Sequence, residues 1–185
     1  MTRHSPEGRI EVICGSMFSS KTETLISRIH KATFAKLPVV IFKPVRDTRT
    51  EDTVESHSQR TWPAINIPHD APGLIFGLVG EAKVVGIEEA QFFTFEILGV
   101  VEGLVRLGIR VIIAGLDLDS MGRPFGSMPQ LLALADQVDK LTAACTICGE
   151  DANRSQRLVP STELVVIGAA DKYAARCRKH FIPVS

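Results

Sequence analysis

Eight consecutive residues, Gly15-Ser16-Met17-Phe18-Ser19-Ser20-Lys21-Thr22, constrain this chain more than anything else in it. In a loop of the form G-x-x-x-x-G-K-[ST], backbone N–H groups wrap a run of phosphates, the lysine reaches the outer ones and the hydroxyl binds Mg²⁺. Seven of the eight positions comply. The exception is Ser20, where the pattern has glycine, and a side chain there crowds the phosphates or opposes the backbone angles the loop needs. The alternative is an ordinary strand-to-helix turn, and the flanking sequence argues against it. Ile10, Val12, Ile13 and Cys14 read as a largely buried strand within 8–15, interrupted by Glu11, and Leu25, Ile26, Ile29 and Ala32 recur at helical spacing over 21–35.

The alternation continues. Further strands are expected at 39–42, 84–87 and 109–114, with helices over 95–107 and 130–135 and a strand-like stretch at 138–143. Strands separated by helices imply an α/β fold with a mostly parallel sheet, helices on both faces and ligands at the carboxyl ends of the strands. Residues 47–70, polar and carrying Pro63 and Pro68, read as a long surface segment.

The strand at 84–87 runs into Glu88-Glu89-Ala90-Gln91-Phe92-Phe93. Opposite a phosphate loop, a carboxylate at a neighbouring strand tip holds Mg²⁺, and one beside it takes the proton of an attacking hydroxyl. Glu88 and Glu89 suit those two tasks. The bland alternative is a solvated acidic turn.

Four cysteines stand at 14, 145, 148 and 177. Cys145-x-x-Cys148 is followed after 28 residues by Cys177-x-x-His180, which offers a closed set of four ligands to a structural Zn²⁺. A redox Cys-x-x-Cys is the rival for the first pair, but it leaves the second pair unexplained. Cys14 reads as a small core residue. The remainder after about residue 141 is too short and irregular for a core of its own, the usual reason for recruiting a metal. Two units are therefore expected, a nucleotide-binding domain at 1–141 and a zinc-binding lobe at 142–185. Formal charge is zero, no apolar run reaches the ~18 residues of a membrane span, and no apolar signal core follows the polar N-terminus. These features point to a cytoplasmic protein with small-molecule partners, and away from a nucleic acid or a membrane.

Taken together, residues 15–22, 88–93, Lys140-Leu141-Thr142-Ala143-Ala144-Cys145 and Lys172-Tyr173-Ala174-Ala175-Arg176-Cys177-Arg178 resemble four motifs, in order, of the zinc-containing thymidine kinases of animal cytosol and many bacteria. The resemblance runs from about residue 8 to 180. It implies a RecA-like P-loop domain with a zinc lobe, ATP with Mg²⁺, a homotetramer, and 5′-phosphorylation of thymidine. By that similarity Glu89 is the general base, Lys21 and Arg49 are catalytic with it, Arg49 near the sugar and phosphates, and Thr22 and Glu88 lie near Mg²⁺. Asp47 lies near the sugar and phosphates. Met17, Phe92, Leu116, Phe125 and Thr142 line the nucleoside, and the backbone of Leu164, Val165, Val166, Ile167 and Gly168 holds it, with Tyr173 alongside.

The chain departs from that family in four places: Ser20 replaces a glycine, Glu88 an aspartate, Ser120 a usual aromatic and Thr50 a common tyrosine. Ser120 motivates the alternative of a kinase for other or broader nucleosides, and Ser20 with Glu88 that of a nucleotide-binding homologue with weakened catalysis.

Overall fold

A computed structural model describes residues 8–45, 53–55, 61–159 and 171–183. Its strands and helices, in chain order, are β1 (Arg9–Gly15), α1 (Lys21–Phe34), β2 (Val39–Val45), β3 (Thr53–Glu55), β4 (Thr61–Pro63), β5 (Ile65–Pro68), α2 (Ile75–Leu78), β6 (Val84–Ile87), α3 (Glu96–Arg106), β7 (Arg110–Gly115), α4 (Met128–Leu134), β8 (Gln137–Leu141), β9 (Ala143–Ala144), β10 (Asp151–Ala152), β11 (Arg154–Arg157) and β12 (Tyr173–Arg176).

Six strands form one sheet in the order β5-β2-β6-β7-β1-β8, and every pairing is parallel. The inner strands are largely apolar on both faces, Glu11 of β1 and Lys43 of β2 being exceptions, because both faces are covered, as parallel sheets require. Ile10, Val12 and Cys14 of β1 face α3 and α4, while Ile13 faces the Leu25, Ile26, Ile29 and Ala32 stripe of α1. Glu11 shares the α1 side by the two-residue alternation of a strand and is 1% exposed. It survives burial because Arg9, Arg28 and Arg110 surround it, Arg110 with two nitrogens at 2.6 and 2.9 Å.

The expected helices and strands are present with shifted ends, and the polar segment holds more structure than its composition suggests. Within it β3 and β4 pair antiparallel and β5 becomes the sheet edge. An edge strand has one neighbour and one covered face, so Ile65-Asn66-Ile67-Pro68 needs little apolar character. Pro44 is tolerated in β2 because β6 stops at Ile87, opposite Phe42, leaving that side unpaired beyond it. The stretch at 138–143 splits: β8 joins the sheet, and β9 turns away to pair with β10. Beyond Leu141 lie two small antiparallel pairs, β9 with β10 and β11 with β12, around a core of Cys145, Ala152 and Ala175.

Candidate phosphate-transfer site

Gly15 ends β1 at φ 145°, and a Cβ there would sit 2.3 Å from the carbonyl oxygen of Leu141 on the adjacent strand. Only glycine fits that approach. The loop then turns through Phe18 at φ 66° and Ser20 at φ 62°, ψ 29°, both left-handed, before α1 begins. The left-handed Ser20 explains why glycine is the usual residue there. Its side chain is exposed and makes no capping bond, so it adds strain without filling the loop. Ser19 Oγ donates to the Ser16 carbonyl at 2.7 Å, and Lys21 Nζ donates to the same oxygen at 2.7 Å.

The acidic strand tip comes to this loop across one intervening strand. β6 and β1 flank β7, and α1 crosses back over the sheet so that Thr22, in its first turn, donates to Glu88 Oε1 at 2.6 Å. Burial first, then the neighbouring Glu89 charge, pushes the Glu88 carboxyl up to about 8, against the pull of Thr22, Lys21 and Lys43. Loss of water lowers the Lys21 ammonium, while Glu89, Glu88 and Asp117 oppose that shift. A hydroxyl and a buried carboxylate with too little positive charge around it are a hard-oxygen donor set that fits Mg²⁺.

Glu89 itself is left-handed, at φ 52°, where the chain leaves the strand. Gln91, 3% exposed, donates its amide to Glu89 Oε2 and accepts the Leu116 N–H at 3.0 Å. One buried amide therefore orients the candidate base and anchors the loop after β7. Gly126 lies hard against the same turn: a Cβ on it would be 2.2 Å from the Gln91 carbonyl oxygen. The Phe92 and Phe125 rings meet edge to face at 5.4 Å, and Asp119 closes the intervening loop by accepting from Met121 N, Arg123 N and Arg123 Nε.

The lobe touches the phosphate loop directly. Ser16 Oγ donates to the Ala152 carbonyl at 3.0 Å, Met17 N–H donates to Ser155 Oγ at 2.9 Å, and Phe18 packs on the lobe core. Cys145, Cys148, Cys177 and His180 bring their ligand atoms within 4.8 Å of one another. Cys148 and Cys177 sulfurs are 3.8 Å apart, and His180 Nδ1 lies 3.3 and 3.7 Å from Cys177 and Cys145 Sγ. Tetrahedral bonds of about 2.3 Å place sulfur ligands about 3.8 Å apart, so the quartet fits Zn²⁺. Despite a burial penalty, N–H groups of Cys177, Ile147 and Cys148, together with His180, bring the Cys145 thiol down to about 5.

The structure thus brings the loop of Gly15, Ser16, Met17, Phe18, Ser19, Ser20, Lys21 and Thr22 to Glu88 and Glu89 at the carboxyl end of the sheet, with Gln91 tying Glu89 to Leu116 and Phe92 meeting Phe125. Tyr173 is buried on β12, paired in register with Arg157. Thr142 is exposed and donates to Asp151 at 2.9 Å, and the carbonyl of its neighbour Leu141 abuts Gly15 of the phosphate loop. Ser120, unlike an aromatic, is buried as the acceptor of an Arg157 Nη2 bond at 2.7 Å. Asp47, Arg49, Thr50 and the segment 164–168 lie outside the described residues. Cys14 is buried, and that burial, then Asp117, raises its thiol to about 11, in keeping with a core role.

Four residues here escaped the sequence reading: Gln91, Asp117, Ser155 and Arg157. Asp117 is 5% exposed, with Oδ2 2.8 Å from Lys140 Nζ in an ion contact that lacks regular hydrogen-bond geometry. Only Gln91 had a sequence signal, its place beside the two glutamates.

Comparison with known proteins agrees with this geometry. The model of the family described as "Thymidine kinase" matches residues 8–181. A thymidine kinase of Rhodothermus sp. (strain ITI 518) is 49% identical over 177 residues, 95% of this chain and 82% of the relative. Those of Bacteroides thetaiotaomicron and Mycoplasma genitalium are 49% and 48% identical, covering 95% and 94% of this chain and 87% and 83% of the relatives.

Proposed function

We propose that this chain, which belongs to the thymidine kinase family, transfers the γ-phosphoryl group of ATP to the 5′-hydroxyl of thymidine, giving thymidine monophosphate and ADP. The observation that carries the reading is the 2.6 Å bond from Thr22 to Glu88, which puts the phosphate loop and the carboxylate pair at one crevice. Loop N–H groups and Lys21 hold the phosphates and meet charge that spreads over the transferred group. Glu89, steadied by Gln91, accepts the 5′-hydroxyl proton as its oxygen bonds to phosphorus and the bond to the ADP oxygen breaks. Thr22 and Glu88 are the residues to hold Mg²⁺, which when bound supplies positive charge to the phosphate oxygens. Arg49 adds a second cation and Asp47 a polar contact to sugar and phosphates. The nucleoside lies among Met17, Phe92, Leu116, Phe125 and Tyr173, and by the family resemblance the backbone of Leu164, Val165, Val166, Ile167 and Gly168 holds it. Thr142, next to Leu141 at the phosphate loop, lines the nucleoside as well.

The division into a phosphate-transfer domain at 1–141 and a zinc lobe at 142–185 follows the change from the parallel sheet to small antiparallel pairs. Among the described residues no helix is long and apolar enough to cross a membrane. A cytoplasmic homotetramer acting on small molecules rather than nucleic acid completes the proposal, on the resemblance to the family. Rates with thymidine, deoxyuridine and deoxycytidine under saturating MgATP test the substrate: thymidine is the fastest of the three, and equal or reversed rates defeat the assignment.

A further inference from the structure

The lobe reaches both sides of the crevice through one strand. Residues two apart in a strand share a face, so Ser155 and Arg157 of β11 project together, about 7 Å apart along the chain. Ser155 Oγ receives the Met17 N–H of the phosphate loop at 2.9 Å. Arg157 Nη2 donates to Ser120 Oγ at 2.7 Å, in the loop after β7. Arg157 and Ser120 are 5% and 7% exposed, so water competes poorly for this charge-assisted bond.

What Arg157 grips is a stiff unit. Asp119, next to Ser120, accepts from Met121 N and Arg123 N, and Phe125 N donates to the Asp117 carbonyl. A displacement of Ser120 therefore passes to Phe125, whose ring meets Phe92. The phosphate loop is held by the same lobe from the other side, through Ser16 on Ala152 and Phe18 on the lobe core. The far edge of β11 is fixed as well, since Gln156 Oε1 accepts the Ile182 N–H at 2.8 Å.

We propose that the Arg157–Ser120 bond is a positioning latch: β11 acts as a strut that sets the nucleoside-side loop, residues 116–125, at a fixed distance from the phosphate loop. Arg157 and Ser120 are positioning residues in this scheme, acting through Phe125 on the acceptor and not on the reacting atoms. The kinetic part of the proposal rests on the thymidine kinase reading, and the structural part stands without it.

The test uses the full, zinc-loaded chain with Ser120→Ala, Arg157→Met and the double variant. Ser120→Ala raises the KM for thymidine about tenfold, as loss of one charge-assisted bond predicts, with kcat and the KM for ATP within about twofold. The double variant is no worse than Arg157→Met alone, because the two residues act as one unit. By hydrogen exchange, amides in 119–125 open about tenfold faster in Ser120→Ala, while those of β1 and β7 are unchanged. Unchanged exchange in 119–125 overturns the latch, and so do additive effects in the double variant or equal changes in all three kinetic constants. Should Arg157→Met fail to fold, Ser120→Ala with the exchange readout decides alone. A wild-type chain inactive on thymidine refutes the kinase reading, whereas the exchange result still decides the latch.

Discussion

Replacing Ser20 with glycine should stabilise the protein slightly, although glycine usually does the opposite. Ser20 is left-handed at φ 62°, ψ 29°, a conformation that costs an L-residue roughly 1–2 kcal/mol. Its side chain is exposed and makes no capping bond, so removing it forfeits no contact of that kind. Against the relief stands the extra freedom glycine gives the unfolded chain, worth about 0.4–1 kcal/mol. The balance favours the folded state by about 0.5–1 kcal/mol, which for a chain of this size raises Tm by about 1–4 °C. Ser20→Val supplies the opposite control, because a β-branched side chain suits left-handed backbone worst. Calorimetric unfolding of the three proteins at matched zinc content reads the order Gly above Ser above Val. A glycine variant melting at or below the wild type, or a valine variant equal to it, would refute the reasoning. The KM for ATP should not rise in the glycine variant, since the loop backbone already holds the required turn.

Glu11→Gln should cost about 3 kcal/mol in urea unfolding, because it leaves Arg9, Arg28 and Arg110 around a neutral buried group; a loss below about 1 kcal/mol would contradict the assigned ion cluster. Burial alone raises the Glu11 carboxyl, but the hydrogen bonds and charge of Arg110, with Arg9 and Arg28, take it below its usual 4.5. The stability this supplies is therefore present above about pH 4.5 and lost as pH falls through the lower folded value, so the wild-type advantage over Glu11→Gln shrinks on acidification. Metal analysis should find one zinc per chain and markedly less in Cys177→Ser; wild-type protein purified without zinc, yet active, would remove the structural assignment.

How much of this was legible in the sequence follows from what held each element in place. β6, β7 and, but for Glu11, β1 announce themselves because a strand buried on both faces is largely apolar. The phosphate loop and the zinc quartet are legible because their chemistry fixes both residue type and spacing. β11 is the opposite case. Arg154-Ser155-Gln156-Arg157 is buried against loops and the chain end by hydrogen bonds, so no apolar period marks it, and its partners lie 37 residues away for Arg157 and 138 for Ser155. The split of the stretch at 138–143 was hidden for a related reason: Leu141 and Ala143 belong to different sheets, and the change of direction falls between them, at Thr142. In the sequence Ser20 is a break in a pattern, and its left-handed backbone shows what the pattern's glycine is for.

The proposed chemistry turns on Glu89, as acceptor of the proton of an alcohol brought up to the phosphate loop. Single-turnover transfer of the γ-phosphoryl from MgATP to thymidine, compared between wild type and Glu89→Gln, addresses it most directly. The rate should be about 10²–10⁴-fold lower in the variant, with ATP affinity within about twofold. Equal transfer rates in the two proteins would contradict it.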